Sequence, residues 1–219
     1  MPYAPEHRTE TRSRILASAR RLFNRNGLSE ISIDEIMAGA GLTHGGFYKY
    51  FPSKEELYAE AITHFINCGP VEPWQQMAFA NHPQGAALAR AILDAYLSRE
   101  HLQDVEGSCP VIGLATDVAR GGSAAKRAYR KVMDMMAQIF AANLGPNPLK
   151  NKLPRGSNTE DTERALAVVA LCVGGMVLAR AVDDDATADD LRSAARRYAV
   201  ALAGWDGAGR QPATATSSI

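Results

Sequence analysis

Three helix-start signals follow one another closely in the sequence ISIDEIMAGAGLTHGGFYKYFPSKEEL, which begins at Ile31. Ser32 and Ser53 are each followed three residues later by a glutamate, which is the spacing of a capping box at the start of a helix. Thr43 is a third N-cap residue, and Gly41 supplies a turn just before it. Two short helices joined by a tight turn, with an amphipathic helix before them, predict a helix-turn-helix.

The second short helix carries two adjacent glycines near its start, although glycine inside a helix costs about 1 kcal/mol relative to alanine. If Phe47 faces the core, the rotation of the helix directs Gly45 and Lys49 away from it. The flanking positions on this outer face are His44, Gly46 and Tyr48. A helix start without side chains lets backbone N–H groups approach a phosphate or a base edge closely. We therefore predict that this face contacts DNA.

The overall charge gives no signal for nucleic acid, because 24 basic and 24 acidic side chains cancel. A local signal exists, since several arginines fall between residues 8 and 25. We predict DNA contacts for Arg8, Arg12 and Arg14, and solvated positions on the helix surface for Arg20, Arg21 and Arg25. Lys54 lies in the first turn of the next helix. A cation there is unfavourable for the helix dipole, but it is well placed to contact a phosphate across the DNA groove.

The segment from Thr11 to Ala61 resembles the DNA-binding domain of the TetR family of bacterial transcriptional regulators. The resemblance rests on ILASARRLFNRNG, on the sequence quoted above and on YAEA after it. It implies a homodimer that binds a palindromic operator on double-stranded DNA and usually represses. In the family, the residues that match Thr43, Gly45, Tyr48, Lys49 and Lys54 face the duplex.

The remainder of the chain shows helical periodicity and no strand alternation. The helical patterns run through residues 84–100, 110–120, 123–144, 160–182 and 188–204. We predict an all-α protein with an N-terminal three-helix helix-turn-helix DNA-binding domain and a larger helical ligand-binding and dimerisation domain. The predicted domains are 8–54 and 55–205, followed by a disordered tail, 206–219. Residues 145–161, rich in Gly, Pro and Asn, predict a mobile loop.

Residues 165–179 contain no charged side chain and are apolar almost all round. Fifteen residues are too few for a bilayer core, which needs about 20, so we predict a helix buried on every side and no membrane partner. Gly174 and Gly175 would let another helix pack closely. Together with the final helix, this one could form half of a four-helix interface between two copies, and the family resemblance also implies dimerisation there.

A regulator needs a signal, and the central helices offer large apolar side chains that could line a cavity for a small-molecule inducer of unknown identity. The candidates are Trp74, Met77, Phe79, Tyr96, Met133, Met136, Phe140, Cys172 and Met176. Residues of these types at helical spacing also form ordinary core, so the prediction applies to the group. No charged pair, metal cluster or cofactor motif identifies the ligand.

Cys109 precedes Pro110, which suits the first position of a helix, so the thiol would lie at the positive end of a helix dipole. This position predicts a redox or electrophile sensor, and a buried small apolar residue is the alternative. Three cysteines at wide spacing, Cys68, Cys109 and Cys172, predict free thiols.

Two other classes of function remain open. One is an enzyme with Cys109 as nucleophile, for which His82 and His101 are the only bases in plausible reach, each without an evident carboxylate partner. The other is a helical interaction module without specific DNA binding. The N-terminus has no apolar run typical of a signal peptide, which predicts a cytoplasmic protein.

Overall fold

The computed structural model describes residues 5–68, 70–150 and 159–205, with side chains from residue 7 onward. Within these ranges the chain is helical and contains no strand, as predicted. The helices are α1 (Pro5–Asn26), α2 (Ile33–Gly39), α3 (Lys54–Asn67), α4 (Pro73–Met77), α5 (Gly85–Tyr96), α6 (Arg99–Gln103), α7 (Pro110–Gly113), α8 (Ala115–Arg120), α9 (Ser123–Ala141), α10 (Glu160–Ala181) and α11 (Asp185–Ala203). A short 3₁₀ helix, His44–Lys49, follows α2, and we call it the recognition segment.

The predicted starts of α2 and α3 are confirmed by their hydrogen bonds. The Ser32 hydroxyl accepts the Glu35 N–H at 3.2 Å, and the Glu35 carboxylate accepts the Ser32 N–H at 2.7 Å, which completes the capping box. The Ser53 hydroxyl accepts the N–H of Glu56 at 3.1 Å. These bonds join residues three apart in sequence, so they depend little on the rest of the fold.

The recognition segment departs from the α-helix that the sequence predicts between Thr43 and Phe51. It is a six-residue 3₁₀ helix, and the Thr43 side chain makes no cap hydrogen bond. Two glycines in so short a helix supply little helix propensity, so its position depends on packing. Phe47 provides that packing, because it is fully buried and its ring lies 6.0 Å from the ring of Phe51.

Helix α3 joins the N-terminal helices to the rest of the chain, because it packs against both α1 and α9. Tyr58 of α3 meets Phe23 of α1 edge to face, with ring centroids 5.0 Å apart. The domain boundary that we predict between residues 54 and 55 coincides with the first turn of α3 and remains a prediction.

Helices α10 and α11 pack closely against each other. The prediction that α10 is buried on every side is wrong. A side chain at Gly175 would place its Cβ 2.6 Å from the Cβ of Ala195, so this glycine allows α11 to approach. Gly174 has open space around it, and Leu178 is 54% exposed. Among the described residues, α10 alone has the length and composition of a membrane span. Core helices also meet that test, and α10 packs against both α9 and α11.

Two of the predicted central helices are each divided in two. The pattern at 84–100 becomes α5 and α6, and the pattern at 110–120 becomes α7 and α8, which meet at Leu114. Side-chain periodicity continues across these breaks, so it does not reveal them. Residues 151–158 of the predicted mobile loop and the predicted tail, 206–219, lie outside the described residues.

Candidate nucleic-acid interface and ligand cavity

The outer face of the recognition segment is exposed, as its helical geometry predicts. Tyr48 is 65% exposed, and Thr43, Gly45 and Lys49 are also exposed. The His44 imidazole is exposed as well, and its Nδ1 lies 2.8 Å from a carboxylate oxygen of Asp34 in α2. This arrangement offers a hydroxyl, an imidazole and a cation to a partner in solution.

Gly45 has no structural reason to be glycine within the described chain. Its φ is not in the left-handed region, and a Cβ added there would meet no heavy atom within 4 Å. At Gly46 an added Cβ would lie 3.5 Å from the terminal methyl of Met37, which is ordinary contact. Since neither the backbone nor packing demands glycine at position 45, a requirement from outside the chain explains it best.

Three predicted DNA contacts also make hydrogen bonds within the N-terminal helices. Arg8 donates to the carbonyl of Lys49 at 3.1 Å, and Arg14 donates to the carbonyl of Ala40 at 2.5 Å. Lys54 donates from Nζ to the carbonyl of Leu28 at 2.5 Å. These bonds tie α1 and α3 to the turns beside the recognition segment. An ammonium group has three donors, so this bond leaves Lys54 with two further donors.

Arg12 forms an ion pair with Glu60 of α3, and its guanidinium lies 4.5 Å from the centre of the Phe51 ring. It is half-buried, whereas Arg8 and Arg14 are exposed. The structure therefore brings Arg8 and Lys49 together and directs Arg12 toward α3.

Arg20 corrects the expectation of a solvated surface residue. Its side chain is 5% exposed and pairs with Glu72, whose side chain is 8% exposed. Glu72 is also the N-cap of α4, and Arg21 Nη2 lies 3.8 Å from the other oxygen of its carboxylate. The partner lies 52 residues away in sequence, so periodicity around Arg20 could not reveal it. This pair joins α1 to the start of α4.

Two further contacts join the end of α1 and the turn after it to the chain beyond α6, and the sequence predicted neither. The Asn24 amide donates to the carbonyl of Ser108 at 2.7 Å and to that of Glu106 at 3.0 Å. The Leu28 N–H donates to a carboxylate oxygen of Asp117 in α8 at 2.9 Å. Three independent links thus hold the N-terminal helices against the larger part of the chain.

A cavity of about 210 Å³ lies between α3, α4, α5 and α9. Five of the nine predicted candidates line it: Trp74, Phe79, Tyr96, Met136 and Phe140. Cys109 lines it as well. The remaining lining residues were not predicted; they are Phe65, Ile66, Pro70, Gln75, Ala78, Ile92, Ala95, Met135 and Ile139. Their apolar spacing is the same in a cavity wall as in a filled core, so it gave no separate signal.

The other four candidates do not line this cavity. Met77 is 48% exposed at the end of α4, and Met133 is half-buried on α9. Cys172 and Met176 lie on α10 and are fully buried in the core. Each has a suitable residue type, but it lies on a face of its helix that is not directed toward the cavity.

Cys109 occupies the N-cap of α7 with Pro110 at the first helical position, as predicted. However, its side chain is fully buried, and burial raises the pKa of the thiol to about 11. The short α7 does not offset this desolvation. The thiolate expected of a sensor or a nucleophile is therefore disfavoured at neutral pH.

His101 lies beside Cys109 but does not act on its sulfur. Its Nε2 accepts the backbone N–H of Cys109 at 3.2 Å, and its Nδ1 lies 2.6 Å from the carbonyl of Tyr96, to which it donates. Burial lowers the pKa of His101 to about 3, which keeps the ring neutral. These bonds give His101 a structural role and offer no support for the enzyme alternative.

We expect only one thiol of the native protein to react with the charged reagent 5,5′-dithiobis(2-nitrobenzoate) at pH 8. Cys68 is exposed, whereas Cys109 and Cys172 are buried, and burial also holds the pKa of Cys172 well above its usual range. Release of the yellow thiolate, measured before and after denaturation in urea, should rise from one equivalent to three. The fast phase should vanish in Cys68→Ser and persist in Cys109→Ser. A fast phase that depends on Cys109 would restore the sensor hypothesis.

Comparison with known proteins agrees with this geometry. Residues 15–61 match the family model described as bacterial regulatory proteins, tetR family. The uncharacterized HTH-type transcriptional regulator YdgC of Bacillus subtilis (strain 168) is 43% identical over 56 residues, which cover 26% of this chain and 29% of that protein. The HTH-type transcriptional regulator AcrR of Shigella flexneri is 45% identical over 75 residues, or 34% of this chain and 35% of that protein.

These relatives match the chain over about a third of their length or less. The fold of most of the chain is similar to the crystal structure of a TetR-family transcriptional regulator from Agrobacterium tumefaciens, with a TM-score of 0.64 and 18% identity. That match covers 87% of this chain and 98% of the other. The recognition segment and the surrounding helices, the match of residues 15–61 and the overall fold agree, and this part of the chain is similar to the DNA-binding domain of the TetR family of bacterial regulatory proteins.

Proposed function

We propose that this chain is a cytoplasmic transcriptional regulator that binds a palindromic DNA operator as a homodimer and represses until a small molecule releases it. The observation that carries the proposal is the exposed face of the recognition segment. Gly45 lies at its centre with no internal reason to be glycine, and Tyr48 and Lys49 flank it in solvent. A surface built this way allows close approach to a base edge or a phosphate.

An exposed apolar face on α10 and α11 supports the homodimer. Val177 and Leu178 on α10 and Tyr198 on α11 are large apolar side chains left in solvent. Gly174 leaves open space in which a second helix can approach. A second copy would cover these groups and complete a four-helix interface, and two recognition segments would then read two half-sites.

The cavity and its links to α1 support control by a ligand. Trp74 lies on the cavity wall two residues after Glu72, which pairs with Arg20 of α1. Cys109 lies on the wall next to Ser108, whose carbonyl accepts from Asn24 of α1. A ligand that shifts either part of the wall would therefore change a contact with α1, the helix that positions the recognition segment.

The direct test is selection of bound sequences from a random double-stranded DNA pool by the purified protein, at two salt concentrations. Enrichment of one palindrome, with affinity falling as salt rises, would support specific binding by a dimer. Salt-sensitive binding without any enriched sequence would reject the specific regulator and favour the interaction-module alternative.

We expect Gly45→Ala to weaken operator binding by about tenfold or more, the scale of one lost direct contact. The added methyl group would enter only the space in which DNA approaches, because no heavy atom of the chain lies within 4 Å of it. The free energy of unfolding should stay the same or rise by up to about 1 kcal/mol, since alanine favours the helix. Fluorescence anisotropy with the selected operator and urea denaturation would measure the two quantities.

Gly122→Ala is the matched control for this prediction. Gly122 is the N-cap of α9, and an added Cβ there also meets no heavy atom within 4 Å. It should leave operator affinity unchanged. Unaltered affinity in Gly45→Ala would mean that the recognition segment does not approach DNA closely at this position.

A further inference from the structure

Among the described residues, the wall of the ligand cavity contains no charged side chain. Aromatic rings from several elements meet there, including Phe65 of α3, Trp74 of α4 and Phe140 of α9. Met135 and Met136 add thioethers, which make favourable contacts with aromatic rings. A charged ligand would lose its hydration without gaining an ionic partner, so the wall selects against charge.

Tyr96 supplies a buried hydroxyl group that makes no hydrogen bond of good geometry to any described residue. Its side chain lines the cavity and is 3% exposed, and its hydroxyl has no hydrogen-bond partner among the described residues. The thiol of Cys109 lies near enough to help burial raise the Tyr96 pKa, but it does not meet hydrogen-bond geometry. A buried hydroxyl without a partner is costly, so a ligand that supplies one would remove that cost on binding.

The Tyr96 ring is held in place by its neighbours. Trp74 meets it edge to face with ring centroids 6.0 Å apart, and His101 does so at 4.9 Å. The His101 ring also stacks on Trp74, with ring centroids 3.6 Å apart, and donates to the Tyr96 carbonyl. The hydroxyl is therefore presented in a fixed position, as recognition of one polar atom requires.

We propose that the cavity binds an uncharged aromatic molecule of one or two rings, through a single hydroxyl or carbonyl group that bonds to the Tyr96 hydroxyl. The volume of about 210 Å³ suits a molecule of this size. The inference rests on the proposed function, since it names the class of ligand for the same cavity.

Isothermal titration calorimetry of the full chain with 2-naphthol, naphthalene and 2-naphthoate tests the three parts of the proposal. Wild type should bind 2-naphthol about tenfold tighter than naphthalene, because only the naphthol satisfies Tyr96. It should bind 2-naphthoate more weakly than either. Tyr96→Phe should reduce the affinity for 2-naphthol by about tenfold and leave that for naphthalene within about twofold.

Tyr58→Phe is the matched control. The Tyr58 hydroxyl is also buried without a partner, but Tyr58 does not line the cavity. Both variants should fold with a melting temperature equal to or above that of wild type, since each loses an unsatisfied group. Only Tyr96→Phe should change ligand affinity.

Three results would overturn the proposal. Binding of 2-naphthoate as tight as that of 2-naphthol would reject an uncharged ligand, and equal losses for 2-naphthol and naphthalene in Tyr96→Phe would reject the hydrogen bond. Absence of binding by all three compounds would reject the ligand class. The DNA selection on the same preparation needs no ligand, so a specific operator found there would leave DNA regulation standing in each case.

Discussion

Arg20→Met lowers the free energy of unfolding by about 3 to 5 kcal/mol, the range found when one partner of a buried ion pair is removed. The substitution keeps a long apolar side chain but leaves the Glu72 carboxylate buried, with only the more distant Arg21 as a cation. Chain entropy and packing change little, so the loss comes mainly from the uncompensated charge. Urea denaturation at a fixed protein concentration would measure it.

Arg25→Met, on the same helix, is the control. Arg25 pairs with Glu106 at 2.9 Å, but the two side chains are 64% and 38% exposed, so we expect a loss of about 0 to 1 kcal/mol. Adding Glu72→Gln to Arg20→Met should recover much of the stability, because the amide removes the buried charge and keeps an acceptor oxygen. Equal losses in the two arginine variants would show that burial of the Arg20 pair contributes nothing.

Leu178→Glu converts the proposed dimer into a monomer and lowers operator affinity by more than about a hundredfold, since one half-site alone provides little specificity. In a symmetric dimer the substitution places two carboxylates in one apolar interface. In the isolated chain Leu178 is exposed, so the fold itself should tolerate the change. Sedimentation velocity would report the mass, and fluorescence anisotropy the affinity for the selected operator.

Val105→Glu is the matched control, because Val105 is another exposed apolar side chain but lies between α6 and α7. It should leave both the mass and the affinity unchanged. If Leu178→Glu remains a dimer with full affinity, the α10 and α11 face is not the interface between copies.

In the recognition segment, the sequence predicted which side chains are buried and which are exposed. Phe47 is buried, and Tyr48 and Lys49 are exposed, as the helical rotation predicts. The predicted type of helix was wrong. A 3₁₀ helix and an α-helix place these few side chains on similar faces and differ in their hydrogen bonds, so the side-chain pattern could not distinguish them. The DNA contacts themselves remain predictions.

The sequence could not identify which of the large apolar side chains line the cavity. Trp74 and Met136 line it, but Cys172 and Met176 are core, although all four have suitable residue types. Periodicity identifies the buried face of a helix and does not say whether the facing helix fills the space opposite. That depends on how separate helices meet.

The sequence by itself determined the all-α class, the capped starts of α2 and α3 and the exposed glycine of the recognition segment. Each rests on contacts or spacings within a few residues, so local chemistry specifies them. Only the tertiary structure decided that Arg20 is buried against Glu72, that Cys109 is a desolvated thiol, and that one face of α10 is left open. These outcomes depend on partners from distant parts of the chain, and a local pattern carries no information about which distant group will meet it.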